Sequence, residues 1–417
     1  LTPAGCGGKT PGRSLDKAHV ALFMLNLDGG GIETSLLRLA ASFSRRGHRV
    51  DLVVYKAKGP LLGHIPPGVN LVVLERKPAA RGLAFGYVLA ADPPPVRSLP
   101  QALRRAWDIS PWFRPLPALA RYLRRAQPQA LLAAGSTLNC VALLARRLAA
   151  TPTRLVVSEH NHLSVYIEGK PGQRRWRFLP DLIARTYPWA DAIVAVSDGA
   201  ADELALTTGL PRERIATVYN PVVSAELWEQ ARAPLEHAWF SPGSPPVVLS
   251  AGRLDDQKDY PTLLRAFARV RAQRPARLMI LGEGKGRSQL EALAAALGIA
   301  GDVALPGFVA NPFAYMERAS VFVLSSLYEG LPTVLIEALA CGCPVVSTDC
   351  PSGPDEILQG GCYGQLVAVG DDRALARAVL GALESHPDRE RLRRRGAEFS
   401  VERGTDRYLQ LLLHGPH

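Results

Sequence analysis

Short apolar runs alternate with helical patterns along most of the chain. Ala18 to Leu27 reads as a strand ending in Asp28-Gly-Gly-Gly31, Ile32 to Arg46 as an amphipathic helix, and Val50 to Tyr55 as the next strand. A helix around Leu116 to Ala126 precedes a strand over Ala130 to Ala134, and further strands fall at Arg154 to Ser158 and Ala192 to Val196. Near-continuous apolar strands separated by helices mark a parallel sheet covered on both faces. The alternation restarts at Val247-Val-Leu-Ser-Ala251 and continues through Arg277 to Leu281, Val303-Ala-Leu, Val321 to Leu324 and Pro344 to Ser347. The pattern predicts an α/β protein of two Rossmann-like, doubly wound domains facing across a cleft. Tyr219-Asn-Pro-Val222 and the Pro/Ser/Gly-rich Ser241 to Pro246 are the boundary segments. The expected division is a mobile lead-in at 1–17, a first domain at 18–222, a second at 223–398 and a C-terminal segment at 399–417.

In open α/β sheets ligands sit outside the carboxyl ends of the strands, so the loops that follow strands are where chemistry is sought. One of them stands out. In Ser326-Leu-Tyr-Glu329-Gly-Leu-Pro-Thr-Val-Leu-Ile-Glu337, two glutamates lie eight positions apart across a Gly-Leu-Pro turn. Proline at the first helical position with a hydroxyl residue beside it is a helix start signal, which puts Glu337 near the first turn and Glu329 in the loop ahead. The first N–H groups of a helix have no internal partner and favour an anion such as phosphate. Carboxylates beside such a site suit hydroxyls, as a nucleotide sugar offers on either side of its diphosphate. The plain alternative is a solvated helix start, where acidic residues are commonplace.

Two other loops add to the picture. Gly29-Gly-Gly31 follows the first strand and opens a helix, a geometry in which backbone can approach a phosphate or sugar closely. Thr34 and Ser35 occupy the positions where a third glycine would fall, and Ala251-Gly-Arg-Leu-Asp is no dinucleotide fingerprint either, so a nicotinamide enzyme is disfavoured. Gly252-Arg253-Leu-Asp-Asp-Gln-Lys258 instead carries two cations at the mouth of the second domain. Arginine grips a phosphate with parallel N–H bonds and lysine adds a point charge; an exposed loop pair is the alternative.

A length of 417 residues exceeds one ordinary core, and 47% apolar residues fit a soluble globular protein. No uncharged apolar run reaches the roughly 18 residues of a membrane span. Residues 1–17 lack an apolar core and are not expected to be a secretory signal. Four of the six cysteines, Cys341, Cys343, Cys350 and Cys362, cluster without histidine or a zinc spacing and read as small buried thiols in a reducing compartment. The net charge of +11 is uneven: between Arg97 and Arg125 seven arginines face one acid, Asp108, interleaved with Trp107, Trp112, Phe113 and Tyr122. This stretch, residues 97–125, suits an anionic lipid surface, with a solvated helical face as the alternative; no nucleic acid partner is expected.

Gly-Arg253-Leu-x-x-Gln-Lys258-Asp, Leu-Gly282-Glu-Gly284, Leu-Pro-Gly307-Phe, Ser-x-x-Glu329-Gly-Leu-Pro and Ile-Glu337-Ala-Leu-Ala-x-Gly-x-Pro-Val-Val, in this order, resemble the retaining GT-B glycosyltransferases of the GT4 family. The resemblance spans residues 18 to 412 and implies the GT-B architecture, with donor bound by the second domain and acceptor by the first. It implies that Arg253 and Lys258 contact the donor diphosphate with backbone N–H groups of Thr333, Val334 and Gly30, and that Gly31, Gly282 and Leu331 line the same site. Glu337 would hold the ribose, Glu329 the transferred sugar, and Phe308 with Val309 the base. Val-Ser158-Glu-His160-Asn161 matches the histidine that reaches the sugar near its 6-hydroxyl.

Retention in this family is described as front-face substitution, in which the leaving phosphate helps deprotonate the incoming hydroxyl. Arg253, Lys258, Glu329 and His160 then carry the chemistry by charge stabilisation and alignment. No metal and no cofactor are expected, since no Asp-x-Asp follows a strand and the two cations take the metal's place. Phe399 to Leu412 resembles the family's last helix, which crosses back to the first domain. Asp349-Cys-Pro-Ser-Gly353-Pro-Asp-Glu356 resembles the subset that uses UDP-hexoses or UDP-N-acetylhexosamines to build polysaccharide or lipid-linked oligosaccharide. The expectation is hexosyl transfer from a nucleotide sugar, UDP-linked, to a saccharide acceptor, lipid-linked. Its place would be the cytoplasm, peripheral on the inner face of the membrane. The alternatives are a soluble acceptor, a UDP-N-acetylglucosamine 2-epimerase-like enzyme of the same architecture, or a silent sugar-binding relative.

Overall fold

The computed structural model describes residues 17–74, 110–168, 174–385 and 387–415. The first domain is a seven-stranded parallel sheet in the order β3-β2-β1-β4-β5-β6-β7. Its strands are β1 (His19–Met24), β2 (Arg49–Val54), β3 (Val69–Val73), β4 (Ala130–Ala134), β5 (Arg154–Glu159), β6 (Ala192–Ala195) and β7 (Ile215–Thr217). The second sheet, also parallel, runs β10-β9-β8-β11-β12-β13. It is built from β8 (Val247–Ala251), β9 (Arg277–Leu281), β10 (Val303–Gly307), β11 (Val321–Leu324), β12 (Val345–Thr348) and β13 (Gln365–Val367). In each sheet the strand order reverses once, beside β1 and β4 and beside β8 and β11, which is where a crevice opens at the carboxyl ends.

Six helices bear on that crevice: α1 (Gly31–Arg45), α2 (Ser136–Ala149), α3 (Asp198–Thr208), α4 (Thr333–Ala340), α5 (Pro354–Leu358) and α6 (Val401–Leu413).

The inner strands are apolar throughout because each face is covered. Along β1, Ala21 and Phe23 join one core cluster while Val20, Leu22 and Met24 join the other, the period of two expected of a strand. The second sheet repeats this, with Val247 and Leu249 on one side and Val248 on the other. The expected inner strands are all present. β3, β7 and β13 were not anticipated, for a physical reason: as edge or near-edge strands they are only partly buried and carry no continuous apolar run.

The chain passes between the domains twice, and the two passages are tied together. Val222 and Val223 donate backbone bonds to the Phe399 carbonyl (3.0 and 3.1 Å), and Val401 N–H returns one to Val223 (2.9 Å). Helix α6 then lies on the first domain: Tyr408, Leu409, Leu411 and Leu412 share a buried cluster with Leu36, Leu39 and Phe43 of α1. The expected α/β architecture with a returning C-terminal helix is therefore what the chain adopts.

Three expectations are corrected. The described aromatic residues of the basic stretch turn inward: Phe113 is buried, Trp112 packs on Trp176 with ring centroids 5.0 Å apart, and the Tyr122 hydroxyl donates to Asp51 (2.7 Å), while Trp107 lies outside the described residues. They complete the first core instead, leaving Arg114, Arg124 and Arg125 exposed; residues 97–109 lie outside the described residues, as do 1–16. Cys362 is exposed, whereas Cys341, Cys343 and Cys350 are buried. Pro332 is the residue before α4, not its first helical position, so Glu337 stands in the second turn. Among the described residues no helix is long and apolar enough to cross a membrane.

Candidate functional site

The second domain offers its half of the site on the loops after β8 and β11. The loop after β8 is braced by the loop after β9: Gly252 and Leu254 donate to Leu281 and Glu283 carbonyls, both at 2.9 Å. This close stacking requires Gly282, with φ +139° and a Cβ position that would collide with the Gly252 carbonyl oxygen. Its missing side chain thus serves the packing that holds Arg253 and Lys258 in place.

Those two cations stand in different environments. The Arg253 side chain is 73% exposed, with Asp255 at 3.3 Å and the Gln257 carboxamide oxygen at 3.4 Å, so its guanidinium is open to an incoming anion. Lys258 is 13% exposed and its ammonium donates to Glu329 Oε1 at 2.6 Å. Glu329 also accepts from Ser326 Oγ (2.7 Å) and, weakly, Gln257 Nε2 (3.4 Å). The structure therefore brings Lys258 and Glu329, expected on the phosphate and on the sugar, into one partly buried pair. Leu331 is buried just beyond, Val309 packs against the second-domain core, and Phe308 is 82% exposed, a large apolar ring left uncovered beside the β10 end.

Thr333 and Val334 form the first turn of α4, where backbone N–H groups lack helical partners. Glu337 lies deeper. Burial pushes its carboxyl up from the ordinary range, opposed by Arg38 of α1, whose guanidinium donates to Oε1 at 3.3 Å across the domain boundary. Sequence reasoning missed Arg38. A signal did exist: it is the single charge in Ser35-Leu-Leu-Arg38-Leu-Ala-Ala41.

The first domain contributes the end of β5. His160 Nε2 lies 3.1 Å from Ser158 Oγ, which in turn lies 3.1 Å from the Tyr408 hydroxyl of α6. Burial lowers the imidazole to about 4, so His160 is neutral near pH 7 and presents one donor and one acceptor nitrogen. The His160 carbonyl oxygen occupies the space a Cβ at Gly330 would need, so the histidine loop and the Glu329 loop touch backbone to backbone. Gly30 and Gly31, at the start of α1, line the same domain's β1 end; beyond Gly31 the space is open, while at Gly30 a Cβ would meet only the flexible Glu33 carboxylate.

Beneath His160 sits a second residue that the sequence did not single out. Glu159 is buried and accepts hydrogen bonds from Ser136 (2.7 Å), Asn139 (3.0 Å) and the Tyr187 hydroxyl. Those bonds favour its charge, but burial without a cation outweighs them and pushes its carboxyl up to about 7.

Two facing parallel-sheet domains, with a crossing C-terminal helix and a cleft between strand ends, define a GT-B protein. Residues 29–226 match the family described as Glycosyltransferase Family 4, and residues 233–399 match Glycosyl transferases group 1. The chain belongs to this glycosyltransferase family. It is 34% identical over 247 residues to the N-acetylgalactosamine-N,N'-diacetylbacillosaminyl-diphospho-undecaprenol 4-alpha-N-acetylgalactosaminyltransferase of Campylobacter jejuni, covering 59% of this chain and 64% of the relative. The match thus spans just under two thirds of that relative's own length. A second Campylobacter jejuni protein, the GalNAc-alpha-(1->4)-GalNAc-alpha-(1->3)-diNAcBac-PP-undecaprenol alpha-1,4-N-acetyl-D-galactosaminyltransferase, is 28% identical over 400 residues, 94% of this chain and 98% of the relative. In fold the chain resembles Anabaena HepE in complex with UDP and glucose, with a TM-score of 0.71, 19% identity and coverage of 95% and 100%.

Two outcomes follow from these environments. Between the carboxyl's ordinary 4.5 and about 7, the folded chain keeps a proton on Glu159 that the unfolded chain has released, so this group's contribution to stability falls as pH rises and is lost above about 7. Wild type should therefore lose stability relative to Glu159→Gln, by up to about 3 kcal/mol between about pH 4.5 and 7.5, measured by urea unfolding; a pH-independent difference contradicts the assignment. Arg38→Met should cost about 1–3 kcal/mol in the same assay, because it strands the Glu337 carboxylate; unchanged stability would deny the pair any role.

Proposed function

We propose that this protein is a retaining glycosyltransferase that moves a hexose or N-acetylhexosamine from a UDP-sugar to a hydroxyl of a lipid-linked saccharide. The observation that carries this reading is the partly buried Lys258–Glu329 pair, whose loop meets the His160 loop while Arg253 stays exposed beside it. The Campylobacter relatives, by name, act on undecaprenol-linked saccharides, which favours a lipid-linked acceptor. The exposed Arg114, Arg124 and Arg125 suit an anionic membrane face.

In this reading Arg253 grips the diphosphate, aided by the first N–H groups of α4 and of α1. Lys258 aims Glu329 through their hydrogen bond, so that Glu329 accepts hydrogen bonds from the sugar hydroxyls, while Glu337 does the same for the ribose. Phe308 and Val309 flank the base. Neutral His160 bonds the sugar near its 6-hydroxyl without adding charge. As the bond between the anomeric carbon and the phosphate oxygen breaks, negative charge grows on the diphosphate, where Arg253 and the helix start oppose it. The acceptor oxygen bonds the anomeric carbon from the same face and its proton passes to the leaving phosphate. Neither glutamate acts as a nucleophile, and no metal is required, because Arg253 and the helix-start N–H groups supply the positive charge.

A thermal-shift comparison of UDP-, GDP- and ADP-sugars tests the donor, since a ligand that binds only the folded state must raise the melting temperature. UDP-sugars should raise it most; no shift with any of them would sink the reading. Glu329→Gln should lower kcat by roughly 100-fold with UDP affinity little changed, and Lys258→Ala by at least as much. Wild-type turnover in either purified variant would remove that residue from the site.

A further inference from the structure

After β6 the chain passes Val196 and Ser197 and enters α3, whose first N–H groups lack partners within the helix. Ala200 N–H donates to Ser197 Oγ (3.1 Å), an ordinary cap. Asp198 and Gly199 N–H do something else: both donate, at 2.8 Å each, to the carboxylate of Glu356, which stands on α5 of the other domain. A carboxylate at a helix start gains from the helix dipole and from two charge-assisted hydrogen bonds. Because Ser197 already caps α3, the helix does not need Glu356 to form; what Glu356 adds is a bond across the cleft.

That bond ends beside the candidate active site. Ser197 Oγ donates to the Gly330 carbonyl (2.8 Å), and Ser352, on the approach to α5, places its hydroxyl 3.0 Å from the same oxygen. Gly330 follows Glu329 directly and abuts His160. The fit leaves no slack, since a Cβ at Gly199 would lie 2.6 Å from the Ser352 Cβ. The other groups at the Glu356 carboxylate are the Tyr219 hydroxyl, which bonds it, and the Asp198 carboxylate, which Arg212 engages at 2.9 Å.

We propose that Glu356 is a positioning residue for sugar transfer: by capping α3 from the opposite domain it sets the closure at which the Glu329-Gly330 loop meets His160, and so aligns donor with acceptor. The role in transfer rests on the reaction proposed above; the cross-domain contact does not. In Glu356→Gln an amide nitrogen replaces one accepting oxygen at nearly constant size, so one of the two bonds is lost. Three measurements on the full chain decide the matter. The kcat for transfer should fall about tenfold or more, since misplacement of about 1 Å is that costly. UDP affinity by calorimetry should stay within about twofold, because the donor lies on the second domain. Small-angle X-ray scattering should show a larger radius of gyration than wild type. Wild-type kcat with wild-type radius overturns the proposal. So does a fall of kcat, UDP affinity and melting temperature together, which would make Glu356 a folding residue only. If the wild-type protein binds no UDP-sugar and transfers nothing, the reaction assigned above fails while the scattering comparison still decides whether Glu356 closes the cleft.

Discussion

The two domains meet backbone to backbone where the His160 carbonyl fills the space that any side chain at residue 330 would need. This steric constraint sets how near the loop bearing Glu329 comes to the end of β5. Around it the chain has built supports from distant elements. Tyr408 of the returning helix reaches Ser158, and Ser158 reaches the imidazole of His160. Ser197 and Ser352 hold the carbonyl of Gly330. The doubled passage, where Val223 and Ser400 form a parallel bridge, joins the two domains as well.

The carboxylates in and near the cleft divide by what faces them. Glu329 has Lys258, Glu337 has Arg38, and Glu356 has the amides of α3. Glu159 has only neutral donors, and it is the one whose carboxyl is pushed up to about 7. Buried ion pairs contribute little net stability, because desolvation offsets their attraction, but removing one partner is costly. What the two pairs fix is orientation, of Glu329 through Lys258 and of Glu337 through Arg38. Arg253 differs, being exposed and only loosely paired with Asp255.

Much of the fold was legible because burial on both faces writes itself into composition. Ala130–Ala134, Val247–Ala251 and Val321–Leu324 are apolar at nearly every position and were found with their ends in place. Strands β3, β7 and β13 were not, since partial burial leaves a mixed pattern. The aromatics Trp112, Phe113 and Tyr122 looked like a surface feature because their neighbours in sequence are arginines. Their neighbours in space are Trp176, the first core and Asp51.

By itself the sequence determined what is local: the two alternating halves, the glycine-bearing loops after β1, β8 and β9, the order of the motifs, and the helix that follows Glu329. Those depend on backbone preferences and burial over a few residues. Which charges meet was decided only by the docking of the domains. Arg38 and Glu337 are 299 positions apart, and Gly199 and Glu356 are 157 apart. No periodicity spans such intervals; the pairs exist because two separate sheets are held with their strand ends facing, at a distance fixed by a missing side chain at Gly330.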